Sequence, residues 1–217
     1  MQSSYSNECK EISRELEKIA EEVRRCTRCP LHLSRTNAVP GEGSPCQRIV
    51  FIGEAPGQNE DMQGRPFVGA AGQLLTQLLN MNGISRESIF ITNVVKCRPP
   101  ENREPRDEEI HSCLPFLKRQ LAAIKPRLII TLGRHSTRTI LALYGYTVDS
   151  IMSVRGKPFK FAENWGLVTV FPTLHPAAAL YNPRMRSLIE EDFREIAKLI
   201  KGDSRGQGPL DMFLTKY

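Results

Sequence analysis

The chain has 217 residues, enough for one α/β domain with a full-sized core. Hydrophobic residues make up 40% and charged residues 25%, a globular balance that excludes a disordered chain. No apolar run approaches the ~20 residues a membrane helix needs, so no membrane association is expected. The polar first ten residues lack the apolar stretch of a secretory signal, which makes a cytoplasmic location the expectation. The formal charge of +6 suits a phosphate-rich partner, although many basic proteins have none. The basic residues gather at Lys96, Arg98, Arg103 and Arg106, at Arg155, Lys157 and Lys160, and at Arg184 and Arg186.

Ile12, Leu16, Ile19 and Val23 recur at helical spacing, which predicts an amphipathic helix over roughly 10–25. The run at 48–53 stops at a glycine and reads as a buried strand. A helix through 72–81 presents Leu74, Leu75, Leu78 and Leu79, and a second strand is predicted at 89–95. Pro105 followed by Asp107, Glu108 and Glu109 marks a helix start, with acids at the positive end of the dipole. A third strand at 127–132 leads through Gly133 to a helix containing Ile140, Leu143 and Tyr144. A fourth strand at 167–171 enters Pro172-Thr-Leu-His175-Pro176, and a last helix covers about 185–201. Strands separated by helices imply an α/β fold: three α/β/α layers around a central, mostly parallel, four-stranded sheet. Residues 1–201 are expected to form a single domain and 202–217 a flexible tail.

Six cysteines are present: Cys9, Cys26, Cys29, Cys46, Cys97 and Cys113. In a reducing compartment their grouping points to metal and not to disulfides. The Cys26-x-x-Cys29 pair, with Cys97 and Cys113 from a distant segment, makes a four-thiolate site stapling the N-terminal helix to the domain. Such a site suits zinc or an iron–sulfur cluster, and spacing does not choose between them. Cys113 also falls on an apolar helix stripe, as a core residue would. Cys9 and Cys46 read as free thiols.

Three strand ends carry polar, constrained residues, and the carboxyl edge of a parallel sheet is where such folds assemble a site. Gly53-Glu54-Ala55-Pro56-Gly57 is a turn whose amides can approach a ligand closely, followed by a hydrophilic loop with Glu60 and Asp61. Phe67, between Pro66 and Gly69, is either core packing or a stacking platform. Asn93 interrupts an apolar strand; it is either a satisfied structural amide or a reader of a nucleobase edge. His175 stands before Pro176, where a neutral imidazole can donate to a developing oxyanion. His32, His111 and His135 lack that setting and read as surface or packing residues. Esterase and zinc-protease motifs are absent.

Taken together, Gly-Glu-Ala-Pro-Gly-Gln-Asn-Glu-Asp, Gly-Arg-Pro-Phe-Val-Gly, Thr-Asn-Val-Val-Lys-Cys-Arg-Pro-Pro, the four cysteines and His-Pro-Ala-Ala-Ala-Leu resemble the family 4 uracil-DNA glycosylases. The resemblance spans about residues 26–200. It implies a DNA repair enzyme that flips uracil from DNA, hydrolyses its N-glycosidic bond and leaves an abasic site. It also implies a structural [4Fe–4S] cluster on Cys26, Cys29, Cys97 and Cys113. By the same resemblance Phe67 stacks on uracil, Asn93 reads its polar edge, and Gly53, Glu54, Ala55 and Gly57 contact the base. His175 stabilises the departing anion, and Glu60, or else Glu54, places the water. Ala55 stands where better-known relatives carry an aspartate, and Gly57 lies near the position that normally blocks the methyl of thymine. The expected partner is uracil-containing DNA, and the expected state a monomer.

Two other classes compete within the sequence. One is a uracil-DNA-binding protein covalently trapped by a histidine, disfavoured because the basic insertion of that type is missing after the second strand. The other is a zinc-stapled nucleic-acid-binding module without catalysis. An iron–sulfur electron carrier would leave the three loops without a task.

Overall fold

The computed structural model describes residues 2–202, and side chains from residue 7 onward. The proposed tail from 203 lies outside the described residues. Helices α1 (Gln2–Arg24), α2 (Gln58–Gln63), α3 (Ala70–Met81), α4 (Asp107–Ile124), α5 (Arg134–Ala142), α6 (Ile151–Val154) and α7 (Pro183–Gly202) alternate with six strands. These are β1 (Glu42–Gly43), β2 (Ile49–Gly53), β3 (Phe90–Asn93), β4 (Leu128–Leu132), β5 (Phe159–Glu163) and β6 (Gly166–Thr173). The strand order is β1-β3-β2-β4-β6-β5, with β3, β2, β4 and β6 parallel and the two edge strands antiparallel.

The four central strands are the four the sequence predicts; the sheet itself has six. β1 is two residues long, too short to leave a periodic signal. β5 alternates inward Phe159 and Phe161 with outward Lys160 and Ala162, and Gly166, at φ +125°, closes its hairpin to β6. Lys157 and Lys160 had masked it as a basic loop.

Alternation along β2 decides the layers. Val50 and Ile52 pack with Ile19 and Val23 of α1, Leu117 of α4 and Ile140 of α5. Ile49 and Phe51 face the other way, onto Leu75 and Leu78 of α3 and Phe193 of α7. A strand apolar on both faces needs cover on both, which is why central strands read as continuous hydrophobic runs. No helix among the described residues is long and apolar enough to cross a membrane.

Cys9 and Cys46 are joined in a disulfide, their Cα atoms 5.2 Å apart, so they are not the free thiols expected. Thirty-seven positions separate them in sequence, and only the packing of α1 beside the turn before β2 brings them together; Glu8 and Arg48 pair next to them. A crosslink over that span contributes about 2–4 kcal/mol, chiefly by restricting the unfolded chain. Cys46→Ser is therefore expected to lower stability by about that amount. Unfolding with and without reductant measures it, and a wild type equally stable in both would remove the crosslink.

Candidate active site

The parallel register places Gly53 directly beside Asn93 at the carboxyl ends of β2 and β3. The ends of β4 and β6 lie on the same edge, where Gly133 donates its amide to the Thr173 carbonyl at 2.9 Å. The three predicted loops therefore open into one cavity of about 360 Å³, within the range of small-ligand sites. Glu54, Ala55, Gly57, Glu60, Phe67, Asn93 and His175 all line it. Gly53 does not line it but lies behind Asn93 and Phe67 and tolerates no side chain: a Cβ there would sit 2.3 Å from Asn93 Oδ1 and 2.6 Å from Phe67 Cζ.

Asn93 is 1% exposed, yet neither its Oδ1 nor its Nδ2 has a hydrogen-bond partner. Buried polar groups are nearly always paired, and an orphan costs on the order of 1–3 kcal/mol. The Asn93 side chain lines the cavity, so its donor and acceptor are open to whatever occupies it. The satisfied structural asparagine of the sequence reading does not occur.

Phe67 is 7% exposed and packs in the core, as one sequence alternative had it, and it also forms a wall of the cavity. Its backbone is left-handed, φ +52°, which is strained for a bulky residue. Three contacts hold it there. Arg86 donates to the Pro66 carbonyl at 2.6 Å, and Glu60 Oε1 accepts from the amides of Val68 and Gly69 at 2.8 Å each. Gly72 leaves room for the turn, since a Cβ there would overlap the Phe67 carbonyl. The Glu60 segment is the short helix α2, not the loop expected, and it delivers that carboxylate to the Phe67 turn.

His175 ends its strand with Nδ1 accepting from the Ala177 amide at 3.2 Å. That bond assigns the proton of the neutral ring to Nε2. Its ring centroid lies 5.7 Å from that of Phe67. Burial lowers its pKa to about 4, against a weaker opposing pull from the Glu60 charge. The ring is thus neutral, with Nε2–H as a donor, from the acid range upward. Titrating the His175 ring by NMR should give a midpoint below 5; a midpoint near the ordinary 6.5 would show an open, solvated ring.

The mouth of the cavity differs from expectation in two respects. His135, assigned no role from sequence, has Nε2 at 3.0 Å from Glu104 and 3.8 Å from Glu54. Burial raises the pKa of Glu54, with His135 opposing. The basic clusters also divide. Lys96 is buried, Arg103 grips the buried Glu109 at 2.6 and 2.9 Å, and Arg155 grips the buried Asp192 at 2.6 Å. Lys96 and Arg155 are thus committed to the fold, while Arg103, bonded to Glu109, still lines the cavity. Glu101 and Asn102, just before Arg103, are consecutive left-handed residues at the rim, and strain of this kind gathers at functional sites.

Cys26, Cys29, Cys97 and Cys113 are free thiols lining one small cavity between the end of α1, the segment after β3, and α4. Donors point at three of the sulfurs: the Arg28 amide at Cys26 (3.5 Å), Arg35 at Cys97 (3.1 Å) and the Lys96 amide at Cys113 (3.2 Å). Burial pushes the Cys113 thiol up to about 11 and raises Cys29 and Cys97, the neighbouring sulfurs adding to the rise. Without a cation these thiols stay protonated; metal binding expels their protons. Among the described residues no three His, Cys, Asp or Glu side chains converge on a point that holds a single ion. Four thiols around one cavity are a donor set that suits zinc or an iron–sulfur cluster.

The uracil DNA glycosylase superfamily model matches residues 40–201, and the chain belongs to that superfamily. Within it the similarity runs strongest to one branch. The chain is 56% identical over 185 residues to a type-4 uracil-DNA glycosylase of Sulfurisphaera tokodaii, covering 85% of this chain and 84% of that protein. It is 48% identical to the type-4 enzyme of Archaeoglobus fulgidus, over 85% of this chain and 92% of the other. The corresponding figures for the type-4 enzyme of Thermotoga maritima are 47%, 86% and 95%.

Proposed function

We propose that this chain is a type-4 uracil-DNA glycosylase, removing uracil from DNA by hydrolysis of the N-glycosidic bond and leaving an abasic site. The observation that carries the reading is the bare, buried amide of Asn93 beside a phenyl ring and a neutral imidazole. Uracil offers an acceptor at O4 next to a donor at N3, which Nδ2 and Oδ1 of Asn93 complement. Cytosine presents the opposite pattern and would leave both pairs repelling, so the amide selects against it. The phenyl ring of Phe67 provides a stacking face for the base, and stacking contributes about 1–3 kcal/mol per base.

A base in the duplex reaches this cavity only by leaving the stack, at a cost of a few kcal/mol. Bond breaking develops positive charge on the sugar, as in other glycosyl cleavages, and negative charge on the base. His175 donates Nε2–H to the uracil oxygen O2 where that charge grows. Being already neutral and fixed by Ala177, it needs no proton loss or reorientation in the transition state. Glu60 has one oxygen committed to the Phe67 turn, and its other faces Gly57; that second oxygen orients the water and offsets the charge on the sugar. Glu54, turned toward His135, is the lesser candidate. Ala55 supplies no carboxylate, so the reaction depends on charge stabilisation more than on a strong general base.

Cys26, Cys29, Cys97 and Cys113 would hold a [4Fe–4S] cluster that ties α1 to the segment carrying Asn93. When bound it supplies structure and not reactive chemistry. One chain contains every group the reaction needs, consistent with a monomer acting on DNA in the cytoplasm, and residues 1–201 are read as one domain. Anaerobically purified protein is expected to be brown with about four irons per chain; colourless protein with stoichiometric zinc would replace the cluster by a structural zinc.

The deciding assay uses a labelled oligonucleotide with a single uracil, followed by alkaline cleavage at any abasic site. Wild type should cut at the uracil alone. His175→Ala should slow release by about 10²–10³-fold, the usual cost of an oxyanion donor, while retaining affinity for uracil-containing DNA. Asn93→Asp should narrow the preference for uracil over cytosine. Tight binding without cleavage by wild type would favour a uracil-DNA-binding protein instead.

A further inference from the structure

Among the fully buried charged residues, Asp61 accepts from backbone amides, Glu109 pairs with Arg103, and Asp192 pairs with Arg155. Lys96 is different. Its ammonium donates to three neutral acceptors: Thr92 Oγ1 at 2.5 Å, the Asn93 carbonyl at 2.7 Å and Gln120 Oε1 at 2.7 Å. These satisfy all three of its donors. Thr92 and Gln120 both donate onward to the Pro40 carbonyl at 2.8 Å. The Lys96 main chain is held as well, its amide by Cys113 Sγ at 3.2 Å and its carbonyl by the Val39 amide at 2.7 Å. Its three hydrogen-bond partners are neutral, and against the desolvation of burial the charge acting on it is that of the Cys113 sulfur; an apolar residue of the same size avoids that desolvation, so its presence needs a reason.

The bare side chain of Asn93 supplies one. With no hydrogen bond of its own within the protein, that amide takes its direction from its main chain. On one side the strand end is fixed by Val94 and Val95, whose amides reach the carbonyls of Gly53 and Glu54 at 2.9 Å. On the other side the Asn93 carbonyl leaves the sheet, and Lys96 meets it from three residues downstream.

We propose that Lys96 is a positioning residue for uracil recognition: its ammonium, seated on the Asn93 carbonyl, fixes the angle at which the Asn93 amide enters the cavity. The same side chain ties that angle to Gln120 of α4 and, through its own amide, to the seat of the four cysteines. This inference rests on the glycosylase reading above and adds to it a residue that never touches the base.

A double-mutant cycle on single-turnover uracil excision separates positioning from general structural support. Wild type sets the reference, and no excision by wild type would overturn the glycosylase reading, not this one. Lys96→Met, which keeps the stem and removes the donors, should slow excision by about 10²-fold, the scale of a small misplacement at a reacting site. Its iron content and its affinity for abasic-site DNA, which presents no base, should stay at wild-type values. In an Asn93→Ala background the same substitution should cost no more than about twofold, because the group it positions is gone. Equal losses in both backgrounds, or an unimpaired Lys96→Met, would overturn the proposal. If Lys96→Met does not give folded, iron-loaded protein, Thr92→Val removes one acceptor of the ammonium at constant volume, and the same two outcomes of its cycle with Asn93→Ala decide.

Discussion

The site depends on a single steric fact, the pairing of Gly53 with Asn93 at the ends of two adjacent parallel strands. Glycine at that position is a requirement of space, because Asn93 and Phe67 occupy the volume a Cβ would take. The phenyl ring and the amide are thereby drawn over the same backbone atom, one offering a flat face and the other a polar edge. Any residue larger than glycine would push them apart and leave two unrelated side chains on the rim.

Around that point the protein keeps two polar groups in states that water would not favour. Asn93 has unmet hydrogen bonds, and His175 is neutral where a solvated imidazole would begin to charge. Both arrangements cost stability, and both leave a donor at the cavity that the proposed reaction assigns to an acceptor of the pyrimidine. Phe67 adds backbone strain of the same kind, held by Arg86 and Glu60. Glu60 serves two ends at once: it anchors the turn that carries the aromatic ring, and its charge is the one opposing the fall in the His175 pKa. A change at Glu60 would therefore disturb the Phe67 turn and the electrostatic setting of His175 together.

The sequence made the four central strands and their loops legible because buried strands are apolar runs that end at glycine or at a polar outlier. Gly53, Asn93 and His175 were found in this way; the structure brings Asn93 and His175 to one cavity and sets Gly53 behind Asn93 and Phe67. What stayed hidden depends on contacts distant in sequence. The Cys9–Cys46 disulfide follows from where α1 lies, and spacing carries no trace of it. His135 becomes a neighbour of Glu54 only because β4 lies beside β2. β5 was obscured by lysines on its exposed face, although its alternating Phe159 and Phe161 were a usable signal. Lys96 looked like part of a basic patch, since charge counted along a loop ignores which side chains turn inward.

The disulfide and the four cysteines proposed to hold the cluster acquire a common purpose once the strand ends are taken as the object to be held. Cys46 lies just ahead of Ile49, where β2 begins, and Cys97 lies just beyond Asn93, where β3 ends. Cys9 on α1 is bonded to Cys46, and the proposed cluster would join Cys26 and Cys29, just past the end of α1, to Cys97; with both links the helix is a brace across the entry to one strand and the exit from its neighbour. The two strands braced are those that end in Gly53 and Asn93. Hydrogen bonds within a parallel pair fix register but leave the terminal residues free to fray. A helix fastened at both ends resists that fraying from outside the sheet. The amide and the glycine then stay in register at the end of the parallel pair.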